Sequence, residues 1–375
     1  MDRPLRILQV MRAPVGGLFR HVADLTRALS KKGHSVGLVV DSLASDAQTE
    51  QRLAALAEFA ELGIHPMPMP RVLGKGDLTT PLAVRKLAGS LSIDILHGHG
   101  AKGGFYVRLA HLGRRRPSAL YTPHGGVLHF SPSSRSGQLF HWLERKLLSQ
   151  TGAIIFESGF ARDTYSRLIT PPTCRTEIIY NGLGTAEFEP IAPEDRSADF
   201  VFVGELRELK GIFPLVEALA GVKRHDGLPA SLVMAGDGPQ RLELEERISA
   251  LGLADRVKLV GSQPARDVFA QGKIAVIPSL AESMPYVVLE ATAAGLPVIT
   301  TKVGGIPEIF AGTTDTLVAP GDAAALRAAM QSAMDHPDAL EAELALRRRR
   351  VAEAFSLEAM VGQIEALYRD VLGQS

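Results

Sequence analysis

The chain reads as an α/β protein built from two doubly wound, parallel-sheet domains. Three observations predict this. Short apolar runs alternate with helix-like runs, the pattern of strands covered on both faces by crossover helices. The pattern stops near Asn181-Gly182 and restarts beyond a linker carrying Gly182, Gly184, Pro190 and Pro193. A length of 375 residues also exceeds what one ordinary core accommodates.

The first half opens with a strand, Arg6 to Met11. Gly16-Gly17 opens a helix from about Leu18 to Lys32, with Val22, Leu25, Ala28 and Leu29 on one face and Gly33 closing it. Ser35 to Val40 is the next strand and Gln51 to Leu62 the next helix. Ile93 to His97, Ala119 to Thr122 and Ala153 to Glu157 are further strands. In the second half the strands are Phe200 to Gly204, Ser231 to Ala235, Val257 to Val260, Ile274 to Ile277 and Pro297 to Thr300. Helices fall at Ile212 to Ala220, Pro239 to Leu251, Val287 to Ala294 and about Leu357 to Leu372. The Arg347–Arg350 run reads as a solvated helix face, and Trp142 as core. The expected domains are residues 1–182 and 183–356, with the helix at 357–375 returning to the first.

Composition is that of a soluble globular protein. The single cysteine, Cys174, cannot form an internal disulfide, which fits a reducing compartment. No signal peptide or run of about 20 apolar residues is present, so a cytoplasmic chain is expected. The formal net charge of zero hides an asymmetry. Residues 1–180 hold 23 Lys and Arg against 13 Asp and Glu, a balance of +10; the remainder holds 18 against 28, or −10. A basic half suggests a face that meets something anionic. Nucleic acid is not expected, because no aromatic–basic platform occurs.

The densest chemistry lies in Ala281-Glu282-Ser283-Met284-Pro285-Tyr286-Val287-Val288-Leu289-Glu290. It joins a strand to a helix and sets two carboxylates eight positions apart. Acceptor-only groups beside free N–H donors at a helix start suit a ligand with many hydroxyls and an anionic part, such as a sugar nucleotide. Gly16-Gly17 lets phosphate approach backbone at another helix start. In Gly204-Glu205-Leu206-Arg207-Glu208-Leu209-Lys210-Gly211, Arg207 and Lys210 could direct two cations at one diphosphate.

Taken in order, several motifs resemble family 4 of the retaining glycosyltransferases, of the bacterial surface and exopolysaccharide type. They are Gly16-Gly17 with His21, Thr122-Pro123-His124-Gly125, Tyr180-Asn181-Gly182, the Arg207/Lys210 loop, Ala235-Gly236-Asp237-Gly238-Pro239, Val260-Gly261-Ser262, the Glu282/Glu290 pair and Val303-Gly304-Gly305-Ile306-Pro307-Glu308. The resemblance covers nearly the whole chain. It implies the GT-B fold, two Rossmann-like domains facing a central cleft, with acceptor bound by the first and donor by the second.

The resemblance also implies roles. Arg207 and Lys210 hold the donor diphosphate and offset the charge growing there. Glu282 faces the donor sugar hydroxyls, with amides of the Ser283, Met284 and Tyr286 turn. Glu290 accepts from the ribose, Gly261 and Ser262 lie near the base, and His124 sits by the reacting sugar. The displacement is front-face, with no protein nucleophile. Pro285 lacks the N–H that relatives with glycine would offer there. Arg207 stands displaced by Glu205, which leaves Lys210 the surer cation.

No Asp-x-Asp occurs, so no metal or other cofactor is expected. His97 and His99, two apart and without a nearby Cys or acid cluster, read as a strand end on the acceptor side with His21 rather than as metal ligands. The expected acceptor is a glycan or polyprenyl-linked lipid, with the enzyme held peripherally on the cytoplasmic face of the anionic inner membrane. Lys102, Arg108, Arg114, Arg115 and Arg116 around Phe105–Leu112, with Arg85 and Lys86, would supply the basic surface. A second amphipathic stretch joins Phe140, Trp142, Leu143, Leu147 and Leu148 to Arg145 and Lys146. The donor would carry GDP or UDP, with GDP-mannose preferred. The alternatives are a nucleotide-sugar epimerase of the same architecture, or a non-catalytic nucleotide-sugar-binding subunit.

Overall fold

The structure is a computed structural model that describes all residues except 1–2, 13, 44–46, 72–73, 114–116, 193, 195–196 and 374–375, and the side chains of 47, 48 and 129. Arg114, Arg115, Arg116 and Pro193 therefore lie outside the described residues. Two compact units are present: Met1–Gly182 with Leu357–Ser375, and Leu183–Ser356.

The first unit runs β1 (Arg6–Met11), α1 (Gly16–Lys31), β2 (Ser35–Asp41), α2 (Ala47–Ala54), β3 (Ile64–Met67), α3 (Gly76–Ser90), β4 (Ile95–His99), α4 (Gly100–His111), β5 (Ser118–Thr122), α5 (Arg135–Leu147), β6 (Ala153–Phe156), α6 (Gly159–Leu168) and β7 (Arg175–Ile178). Its seven strands lie in the order β3-β2-β1-β4-β5-β6-β7, all parallel. The order reverses between β1 and β4, and ligands of such sheets bind beyond the strand ends at that switch point.

In the second unit come β8 (Ala198–Val203), α7 (Ile212–Leu219), β9 (Leu232–Ala235), α8 (Arg241–Ala250), β10 (Val257–Leu259), α9 (Ala265–Phe269), β11 (Gly272–Ile277), α10 (Tyr286–Ala293), β12 (Val298–Thr300), α11 (Ile306–Ile309), α12 (Ala323–Asp335) and α13 (Pro337–Ala354). Its sheet is also parallel, ordered β10-β9-β8-β11-β12, with the switch between β8 and β11. The chain then returns to the first unit as α14 (Leu357–Val371). Both units are thus Rossmann-like, the architecture of the GT-B fold.

The central strands are buried on both faces, which is why they read as continuous apolar runs. Met360, Val361, Ile364, Leu367 and Tyr368 of α14 pack on Leu5, Ile7, Leu25, Leu29 and Ile95. Each buried aliphatic there contributes about 1.5–3 kcal/mol. Ile7 and Gln9 of β1 point to one face, as do Ile95, His97 and His99 of β4, and the register pairs Gln9 with His97. That face is therefore apolar under α14 and turns polar toward the strand ends.

The structure departs from expectation in several places. The helix expected over residues 51–62 is α2 followed by a 3-10 turn at Ala57–Phe59. The break lets Leu53, Leu56 and Ala60 reach one core cluster. Strands β3 and β7 were not expected. Both are sheet edges, where Pro66 and the charges of Arg175 and Glu177 are tolerated and no apolar run is required. Arg347 is not on a solvated face. It is 4% exposed, donates to the Val298 carbonyl at 2.7 Å and to both Thr313 and Thr316, and stacks 3.9 Å from the Phe310 ring centroid. Trp142, read as core, is 49% exposed on α5. Among the described residues no helix is long and apolar enough to cross a membrane.

Candidate active site

In the second unit, two loops at the switch point carry the expected site residues. The loop after β8 ends at Gly211, whose φ of +72° and approach to the Pro278 carbonyl exclude any side chain. This seats Lys210 against the loop after β11. Lys210 Nζ donates to Glu282 Oε1 at 2.5 Å, and Ser279 Oγ donates to the same oxygen at 2.7 Å. Two expected site residues, 72 positions apart, are thereby brought together. The Glu282 turn is held from behind: Gly305 N donates to the Ser283 carbonyl at 2.7 Å, and Thr301 Oγ1 to the Ser279 carbonyl at 2.5 Å. Gly304 has φ +57°, and a Cβ there would lie 2.0 Å from the Glu282 carbonyl oxygen.

Arg207 follows a different course from Lys210. Its Nε lies 2.9 Å from Glu205 Oε2, with Arg207 half-buried and Glu205 exposed. The two cations therefore have separate carboxylate partners. Met284 and Tyr286 are buried, while Ser283 and Glu290 are half-buried. Glu290 is the fifth residue of α10, and Pro285 occupies that helix's N-cap. Gly261 is left-handed at φ +73°, its carbonyl accepting from Gly236 N, and Ser262 is exposed beside it. Ser279 was missed by the sequence reading; only its place three residues before Glu282 could have pointed to it.

The switch point of the first unit holds histidines. Gly16 and Gly17 are exposed at the start of α1, which has no side-chain cap and no acidic residue in its first turn. Those N–H groups suit an anion or a polar ligand. One turn on, His21 Nδ1 donates to Asn181 Oδ1 at 3.1 Å, leaving a buried Nε2 with no partner. His99 ends β4; its Nε2 lies 2.6 Å from Gln9 Oε1 and its Nδ1 3.0 Å from His124 Nε2. His124 is a non-glycine residue held at φ +48°, a strained backbone state of the kind that collects at functional sites.

His97, expected on the acceptor side, is fully buried, with Nε2 2.8 Å from Thr122 Oγ1 and Nδ1 2.6 Å from the Tyr368 hydroxyl. The Gln9, Tyr368 and Asn181 side chains in this cluster were not singled out as site groups. No periodic pattern ties residues 9, 97 and 368 together.

Burial pushes the His21 imidazole down to about 4, opposed by the Asn181 hydrogen bond. His97, His99 and His124 are held well below the usual range, first by burial and then by the neighbouring imidazoles, His21 among them. All four rings are therefore neutral at pH 7. One ring nitrogen each from His21, His99 and His124 lies within 4.8 Å of the others, spacing that a metal ion could bridge. The His99–His124 hydrogen bond already joins two of those rings.

Of the basic residues expected around α4, Lys102 and Arg108 are internal, while Lys86 is exposed. Lys102 Nζ pairs with Asp77 at 2.5 Å, and Arg108 makes a two-pronged pair with Glu144 at 2.6 and 2.8 Å while wholly buried. Of the second stretch, Leu147 and Leu148 are core. The outward face of α5 instead shows Leu139 and Trp142 beside Arg135, Arg145 and Lys146.

Two parallel-sheet Rossmann-like units, each with polar side chains gathered at its switch point, define a GT-B glycosyltransferase. The family described as Glycosyltransferase Family 4 matches residues 15–187, and that described as Glycosyl transferases group 1 matches residues 197–336. The chain is a glycosyltransferase of this family 4 and group 1 kind. It is similar to glycogen synthase of Mycobacterium tuberculosis, 28% identical over 94% of this chain and 91% of that one. It is likewise 28% identical to the gpi3 subunit of phosphatidylinositol N-acetylglucosaminyltransferase of Schizosaccharomyces pombe, over 79% of this chain and 65% of that one. A glycosyltransferase structure from Rickettsia africae superposes with a TM-score of 0.82 at 19% identity, covering both chains completely.

Proposed function

We propose that this enzyme transfers a hexose, with retention, from a nucleotide-sugar donor to a glycan or lipid-linked acceptor in bacterial surface-polysaccharide assembly. GDP-mannose is the preferred donor and a UDP-hexose the next. The observation that carries this reading is the Lys210–Glu282 contact. In a nucleotide sugar the phosphate on C1 adjoins the ring hydroxyls. An ammonium and a carboxylate 2.5 Å apart match that juxtaposition, the one for diphosphate and the other for hydroxyls.

In the proposed step, the acceptor oxygen bonds to C1 on the face from which the phosphate oxygen leaves. The acceptor proton passes to that phosphate oxygen, and Lys210 offsets its growing charge. Glu290 accepts from the ribose, Gly261 and Ser262 border the base, and His124 stands by the sugar. No metal is assigned a part. The relatives support both acceptor classes, one being a glycogen synthase and the other a subunit of a phosphatidylinositol N-acetylglucosaminyltransferase.

A thermal-shift panel with GDP, UDP, ADP and their sugar conjugates, with and without chelator, tests the donor. A ligand at 100 times its Kd stabilises by about 2.7 kcal/mol. Chelator-insensitive stabilisation by one base, lost in Glu290→Ala, is expected; no shift with any nucleotide would overturn the reading. Peripheral membrane contact is proposed through Leu139, Trp142, Arg135, Arg145 and Lys146 of α5. Salt-sensitive flotation with anionic liposomes, reduced in Trp142→Glu, is expected. Failure to float would remove the membrane from the proposal while leaving the donor site standing.

A further inference from the structure

Three histidines converge at the switch point of the first unit from separate segments. His21 comes from the second turn of α1, His99 from the last position of β4 and His124 from the turn after β5. One ring nitrogen of each lies within 4.8 Å of those of the other two. The His21 ring centroid stands 4.8 Å from that of His124 and 5.6 Å from that of His99, and the last two are 5.3 Å apart. Among the described residues the cluster includes no acid or cysteine.

Two amide oxygens set which nitrogens carry lone pairs. In a neutral imidazole the nitrogen that donates leaves the other as an acceptor. His21 Nδ1 donates to Asn181 Oδ1, so the lone pair is on Nε2, which is buried and has no hydrogen-bond partner. Leaving such an atom unpaired costs about 1–3 kcal/mol, a cost that a cation at Nε2 removes. His99 Nε2 donates to Gln9 Oε1 at 2.6 Å, so its lone pair is on Nδ1, 3.0 Å from His124 Nε2. An amide or carboxylate oxygen behind the imidazole is what orients histidine ligands in metal sites.

The spacing fits the same chemistry. A tetrahedral ion with metal–nitrogen bonds of about 2.0–2.1 Å holds its ligand nitrogens about 3.3 Å apart. His99 Nδ1 and His124 Nε2 are already near that separation, and closing the widest spacing takes about 1.5 Å. Three imidazoles with a fourth position for water suit a borderline divalent cation and offer nothing to oxygen-seeking Mg²⁺ or Ca²⁺. His21 and His99 are buried while His124 is half-buried, so the cluster meets solvent at His124.

We propose that His21, His99 and His124 form a site for one borderline divalent cation, Zn²⁺ foremost, and that its occupancy takes His124 out of the transfer reaction. The site rests on the histidine geometry alone; the inhibition also rests on the reading of His124 as the residue beside the reacting sugar. As the ion enters, it replaces the His99–His124 hydrogen bond, and the His124 ring proton passes from Nε2 to Nδ1. Three neutral rings then hold the cation with no net proton released. The cation takes no part in the donor step.

Full-length protein without a histidine tag, stripped by chelator and dialysed, is titrated with Co²⁺ and followed by visible absorption. Co²⁺ on three imidazoles and a water absorbs intensely, whereas six-coordinate Co²⁺ on a protein surface barely does. The parent is expected to develop the intense band with one equivalent per chain and to lose it to one equivalent of Zn²⁺ but not to excess Mg²⁺. His21→Phe, His99→Phe and His124→Asn should each abolish the band, and His225→Gln, at an exposed position of the second unit, should keep it. Asn181→Ala and Gln9→Met, which remove only the supporting oxygens, should weaken binding about 10–100-fold. A parent without the band overturns the proposal before any variant is made, as does a band that survives in a folded ligand variant. Zn²⁺ should also abolish sugar transfer by the parent, and chelator should restore it. Undiminished transfer by the Zn²⁺-loaded protein would refute the inhibition and the place of His124 at the sugar while leaving the site standing. A metal-free parent that shows the band but transfers no sugar would support the site and count against the transfer reading alone.

Discussion

Replacing Lys210 by methionine probes the Lys210–Glu282 pair and its proposed donor role most directly. The two side chains retain 21% and 11% exposure, so neither is fully hydrated. Without the ammonium, Glu282 Oε1 keeps only the Ser279 hydroxyl. Exposed pairs contribute at most about 1 kcal/mol, whereas breaking a fully buried one costs about 3–5 kcal/mol. This pair lies between, and a loss of about 1–3 kcal/mol is expected. Glu282→Gln makes the complementary loss. Because the groups touch, the double variant should be less destabilised than the sum of the singles by about 0.5–3 kcal/mol. Turnover follows a different rule. An interaction that strengthens as the leaving diphosphate gains charge is worth about 10²–10³ in kcat, and the double variant does not recover it. Urea melts of the four proteins and initial rates with saturating donor measure both. Additive stability losses would refute the pair, and a Lys210→Met rate within about threefold of the parent would refute the charge-offset role.

Three further outcomes follow from the geometry. His21 titrates near 4 when folded against 6.5 in the reference state, so the unfolded chain binds the extra proton between those values. Stability therefore falls as pH drops through that window, by up to about 3 kcal/mol for His21 alone, with His97, His99 and His124 adding in the same direction. Urea midpoints that match at pH 7 and pH 5 would contradict this, and His21→Phe should flatten the slope. Gly304→Ala places a methyl carbon on the Glu282 carbonyl and adds about 1–2 kcal/mol of left-handed backbone strain, so activity should drop more than the melting temperature. Arg347→Met leaves the Val298 carbonyl and two threonine hydroxyls without their donor. It should cost about 3 kcal/mol or more by chemical denaturation, and a surface-like change below about 0.5 kcal/mol would refute its structural role.

The fold class was legible because fully buried parallel strands must be apolar throughout. β1, β4, β5, β8 and β11 all announce themselves in that way. The edges did not, since β3 and β7 need pair on one side only and can carry proline or charge. Long-range polar contacts were also invisible. Arg347 and Arg108 look like surface cations in a helix, and only the fold reveals the carbonyl, hydroxyl and carboxylate groups waiting for them. Lys210 and Glu282 were each legible as single residues from their strand-end loops. Their direct contact was not, because it depends on two loops meeting across neighbouring strands. The His97–Tyr368 contact spans 271 positions and carries no local signature.

The excursion of the chain from one unit to the other and back bears on how the protein is made. The first unit is interrupted at Gly182 and resumes only at Leu357, and the two passages are stitched where Leu183 N donates to the Phe355 carbonyl at 2.8 Å. During synthesis the whole second unit emerges before α14 exists. Until then Ile7, Ile95 and their neighbours lack α14 beside α1, and His97 lacks the Tyr368 hydroxyl. A polypeptide that lacks α14 therefore carries a complete second unit and a partly uncovered apolar sheet face, the kind of surface that chaperones and proteases act on.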